Sequence, residues 1–132
     1  MRRIAIGLAA GIAVWVGSAV AAEAQAIQIV PGGPTAVHPS DTATIYKASI
    51  TPGSTNLIDV RLKVYVNSEA NPRYTSTVSI YSIVGTKLYQ KTVSLSGWNL
   101  QVGDVLKFHL DCWWDPNGQL SSNDYLVTVS GT

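Results

Sequence analysis

Between residues 58 and 66 the chain reads Ile-Asp-Val-Arg-Leu-Lys-Val-Tyr-Val, apolar at every even position and polar or amphipathic at every odd one. Successive side chains of a strand point to opposite faces. The stretch therefore has a dry face of Ile58, Val60, Leu62, Val64 and Val66 and a wet face of Asp59, Arg61, Lys63 and Tyr65. A helix would scatter the same apolar residues around its circumference, so the pattern predicts a central antiparallel strand with one side on a core. Weaker forms of this rhythm predict strands over 27–30, 43–50, 74–83, 87–95, 105–112 and 124–130. Tyr46, Ala48 and Ile50 share one face of the second of these, and Val78 and Ile80 point inward from the third.

Turn residues separate these runs. Pro31, Gly32, Gly33 and Pro34 should end the first strand, and Pro39 delays the next. Thr51-Pro52-Gly53-Ser54 reads as a tight turn, 67–73 as a polar loop ending near Pro72, and Gly85 as a second tight turn. No segment carries a helical period. About seven short, evenly spaced strands predict an all-β fold, an antiparallel two-sheet sandwich.

The first 26 residues do not fit that rhythm. Met1-Arg2-Arg3 is followed by an apolar run to about Val20 and then by Ala-Glu-Ala-Gln-Ala. A basic start, an apolar segment and small residues at the end predict a secretory signal peptide over 1–26, with cleavage after Ala24 or Ala26 fitting equally well. The apolar run is short and Gly-interrupted for a membrane anchor. The remaining domain, 27–132, would span no membrane and would be secreted, periplasmic or held at a cell surface. It can bury roughly two thirds of its unfolded surface.

Charge narrows the partners. The whole chain has a formal net charge of +1, and loss of the leader leaves it near balance, which argues against nucleic acid. The single cysteine, Cys112, excludes an internal disulfide. Cys112 shares a strand face with Leu106, Phe108 and Leu110, which favours burial; pairing with a second chain is the alternative.

The run Leu100-Gln-Val-Gly-Asp-Val-Leu-Lys-Phe-His-Leu110 resembles the loop-to-strand junction of fibronectin type III-like and related immunoglobulin-like domains. Leu100 would plug the end of the sandwich, Val102 would replace the usual proline, Gly103 would make the turn, and Leu106, Phe108 and Leu110 would enter the core. Leu106 stands where that family has Tyr, and no Trp appears on an early strand. The resemblance implies an immunoglobulin-like sandwich and carries almost no functional content.

The segment 113–123, read as the loop between the last two strands, is the most informative for function. Alternation from Phe108 turns Trp113 outward, unless both Trp113 and Trp114 leave the strand. Exposed indoles beside Asp115, Asn117 and Gln119 could stack on sugar rings or anchor a protein contact; capping of the open core by one or both rings is the competing reading. Asp115, Asn117, Gln119 and Asp124 could also offer oxygen ligands to calcium, but Gly118 is misplaced for an EF-hand loop and Asp-Pro-Asn-Gly is an ordinary turn. Trp98 reads as core cover beside Leu100.

Catalytic groups do not converge. His109 lies on an outward face with Lys107 and Asp111, and His38 sits far away in the Pro-rich segment. Neither a metal set nor a Ser-His-Asp array is apparent. Asp104 and Asp111 make a poor glycosidase pair, and Asp104 reads as a turn-binding carboxylate. The outer face of 58–81, with Arg61, Lys63, Tyr65, Thr75, Thr77, Ser79 and Tyr81, reads as a solvated face or as a surface for a glycan or a second subunit.

These observations predict a non-catalytic module without cofactor or metal, serving recognition or structure, with a protein or glycan at the cell surface as partner. Two alternatives are a carbohydrate-binding module using Trp113 and Trp114, and a homo-oligomeric strand-exchange assembly through 27–34.

Overall fold

The computed structural model describes residues 27–53, 57–81, 85–114 and 120–131. The segment 1–26, read above as a leader, lies outside them. Seven strands are present: β1 (Gln28–Gly33), β2 (Ala43–Thr51), β3 (Leu57–Val66), β4 (Tyr74–Tyr81), β5 (Lys87–Ser94), β6 (Val105–Trp114) and β7 (Leu120–Thr128). They form a three-stranded sheet, order β1-β2-β5, and a four-stranded sheet, order β4-β3-β6-β7, with all neighbours antiparallel. The protein is an all-β two-sheet sandwich.

β3 is central in its sheet, paired with β4 on one side and β6 on the other. Ile58, Val60, Leu62, Val64 and Val66 are sealed, as the two-residue rhythm requires. Tyr46, Ala48 and Ile50 from β2 and Tyr89 and Val93 from β5 face them, and Leu106, Phe108, Leu110 and Cys112 of neighbouring β6 extend their layer. Leu100 is buried at 5% exposure while Val102 is open at 64%, so the first closes the core and the second rides on the turn. Gly103 takes φ +98, a conformation that favours glycine. Asp104 binds that turn as expected, accepting from Gln101 N at 2.9 Å and from Asn67 Nδ2 at 3.2 Å.

Three strands run two or more residues beyond their expected bounds. β1 runs through Pro31 to Gly33 instead of stopping at the proline. The bond from Leu95 N to Thr42 O sets the parity of β2: even residues bond β5 and odd residues bond β1. Pro31 lies opposite Ala48, an even residue, so its missing N–H is on the solvent edge and costs no ladder bond. β6 continues two residues to Trp114, and β7 begins at Leu120 instead of 124. Ser121, Ser122 and Asn123 read as loop residues by composition, but they pair with Cys112, Asp111 and Leu110. The connection between β6 and β7 is therefore 115–119, not 113–123.

After β1 the chain leaves its sheet. Val37 forms a parallel bridge with Val129 beyond β7, and Ser130 N donates to Val37 O at 2.9 Å. The N-terminal segment is thus tied to both sheets.

Candidate functional site

The outer face of the four-stranded sheet is a grid fixed by register. One row is Ser79, Asp59, Trp113 and Leu120; the next is Thr77, Arg61, Asp111 and Ser122; the third is Thr75, Lys63, His109 and Asp124. Neighbouring side chains on such a face lie within reach of one another, and here they are mutually bonded.

Asp111 is the hub. Its Oδ1 accepts from Ser122 Oγ at 2.7 Å and lies 2.8 Å from His109 Nε2, and its Oδ2 accepts from Arg61 Nη2 at 3.1 Å. This explains an irregularity: Asp111 points outward yet is only 4% exposed, because its partners cover it. Burial pushes its carboxyl up, but the bonds from Ser122 and Arg61 and the charge of His109 outweigh that and hold it below the usual carboxylate range. The other nitrogen of His109, Nδ1, lies 2.5 Å from Asp124 Oδ1. Both ring nitrogens are turned to carboxylates, so the imidazole is held from two sides.

Trp113 stands at the end of this grid, half-buried, with the Arg61 guanidinium 5.1 Å above its ring. Asp111 holds that guanidinium from the other side, so the cation is anchored and one indole face is covered. Leu120, opposite Trp113, is 58% exposed. An exposed apolar residue and a supported indole therefore mark the rim from which 115–119 departs.

Trp114 requires a correction. The contact role beside Trp113 does not hold for it and the competing reading of a core cap does, because alternation turns it inward. It is buried, and its Nε1 donates to Pro52 O at 2.8 Å, closing the open end of the core. Asp115, Asn117 and Gln119 lie outside the described residues. Trp98 packs on the core with Arg73 5.8 Å above its ring and bonded to its carbonyl oxygen.

The charged network was missed in the sequence because its members come from three strands. His109, Lys107 and Asp111 were placed on one outward face, as they are, but nothing local announces Arg61 or Ser122 as partners. On the same face Lys107 Nζ lies 4.9 Å from the Tyr65 ring. Cys112 is sealed, and burial together with the nearby Asp111 charge pushes its thiol up to about 12.

Compared with known protein families, curated proteins and solved structures, the chain matches none of them.

Proposed function

We propose that the protein is a non-catalytic recognition or structural module, exported to the cell surface or beyond, that makes contact through the end of the sandwich bearing Trp113. The observation that carries this reading is the Arg61-supported indole at the rim beside exposed Leu120. Rigid, pre-positioned aromatics with an arginine neighbour are frequent anchors of protein and glycan contacts. The ionisable groups nearest the ring are committed to one another, which supports a binding role over an acid–base one. Asp115, Asn117 and Gln119 remain the proposed polar complement. The strand order, with β1-β2-β5 facing β4-β3-β6-β7, supports the fibronectin type III-like resemblance.

The experiment is binding of labelled protein to intact cells of the source, to isolated envelope and to a broad glycan array. Wild type is expected to bind, and Trp113→Ala to lose at least tenfold of that affinity, roughly the weight of one anchor residue. Equal binding by the variant would remove the site, and wild type that binds none of these would remove the function. A glycan hit identifies the carbohydrate reading.

A second reading, assembly by strand exchange through 27–34, is favoured by the register break between Pro31 and Gly33 in an edge strand. It requires a second copy to supply β1, so an oligomer that persists after deletion of 27–34 would end it.

A further inference from the structure

β2 has two edges, and one is only half used. β5 covers the strand from Ala43 to Ile50, all but its last residue. β1 covers only Lys47 to Thr51, because its pairing ends where Gly33 meets Lys47. From there the chain bends away to reach Val129. The parity established above sends the N–H and C=O groups of odd residues toward β1. Those of Ala43 and Ile45 therefore aim at a place where β1 has already left. No backbone bond from the described residues 34–42 reaches them.

What lies in front of them is a cleft of ≈ 470 Å³, with 32–36 on one wall and Ala43, Thr44, Ile45 and Lys47 on the other. Its walls are mostly small: Gly32, Gly33, Pro34, Thr35 and Ala36 leave the backbone edge accessible. Ala43, Ile45 and Lys47 are all exposed. The cleft is at the end of β2 away from Pro52, and so away from Trp114 and the rim described above.

We propose that this cleft takes a single extended peptide segment of a partner protein, which adds as a short strand to the Ala43–Ile45 edge and places an acidic side chain against Lys47. The chemistry selects the occupant. Two donors and two acceptors, alternating along an edge over roughly 7 Å, match the groups of an extended backbone. A cleft of ≈ 470 Å³ has the volume of a short peptide and is far too small for a folded sheet. Lys47 is the one charged side chain lining the cleft among the described residues, so charge complementarity calls for a carboxylate. Side chains on the outward face of the added strand would meet exposed Ile45, at 41%, and continue the apolar outer surface that Val30 and Leu88 begin.

The test is titration of the isotope-labelled full protein with a pentapeptide of alternating threonine and valine with a central aspartate, capped at both ends. At millimolar peptide the amide signals of Ala43 and Ile45 should shift and their hydrogens should exchange more slowly. Lys47→Glu should weaken the aspartyl peptide about fivefold and strengthen its lysine-centred counterpart by a similar factor, the scale of an exposed ion pair. Ile45→Pro, which removes an N–H that has no protein partner among the described residues, should abolish the response at this edge. Unmoved Ala43 and Ile45 amides, shifts centred elsewhere, or affinity indifferent to Lys47→Glu would overturn the proposal.

Discussion

Tyr46 is the largest side chain fully sealed in the core, and it brings a hydroxyl with it. Its ring stacks on Phe108 with centroids 5.5 Å apart and meets Tyr89 edge-on at 6.2 Å. The ring therefore packs well, but its hydroxyl has no hydrogen-bond partner among the described residues, and neither has that of Tyr89. Burial, the nearby Cys112 and the neighbouring tyrosines push the Tyr46 phenol far above its ordinary value, so it stays neutral at any physiological pH. An unpaired buried hydroxyl costs about 1–3 kcal/mol. Tyr46→Phe keeps the ring contacts and removes that cost, so stability should rise by about 1 kcal/mol. Calorimetry reads this as a higher melting temperature, and a lower one would mean that the hydroxyl makes a stabilising bond. That Tyr46 is inward was legible from its spacing to Ala48 and Ile50. That its hydroxyl is stranded was not, because the surrounding groups come from β5 and β6.

At the scale of elements, β3, β6 and β7 are held by their backbone ladders and again by side chains across their outer face. Asp111 joins the three: Arg61 is on β3, His109 on β6 and Ser122 on β7. Removing the carboxylate in Asp111→Ala takes the shared partner from Arg61, His109 and Ser122, which are exposed enough to turn to water, and should cost about 1 kcal/mol in denaturant unfolding. The pH dependence has a definite sign. The folded carboxyl titrates below the unfolded value of about 3.9, so its stabilisation is complete above that value. It is lost as pH falls through the folded value. Wild-type melting temperature should therefore drop as the buffer is taken below about pH 4, with a shallower drop in Asp111→Ala; parallel curves would exclude this role.

The strands themselves were legible because alternation is local. The exceptions share one cause. Pro31 inside a strand, and Ser121, Ser122 and Asn123 in β7, are tolerated through cross-strand pairing that composition does not encode. The same cause moved Trp114 from the expected contact surface into the core, since the point at which β6 stops alternating depends on its hairpin with β7.

For the whole molecule, the two sheets enclose one apolar core, with Cys112 inside it. The thiol is pushed up to about 12 and lies beneath the β3–β6 pairing, so no small local opening exposes it. Labelling by a thiol-specific reagent at neutral pH should follow the global unfolding free energy as denaturant is added. Rapid labelling of folded protein would show that the sheets part more easily than this packing allows. The sandwich class could be read from strand count and spacing. Which strands neighbour each other could not, since β3 meets β6 across 39 intervening residues at the Val66–Leu106 pair.

The double attachment of the N-terminal segment matters if the protein is ever held under tension. Val37 and Val129 run in the same direction, so opposite pulls on the two ends of the chain slide one strand along the other. Contacts loaded that way share the force and yield together, whereas a hairpin peeled from its tip yields one contact at a time. A domain tethered in a wall or matrix would carry its mechanical resistance at this seam, whose Val37 and Val129 side chains are themselves part of the buried core.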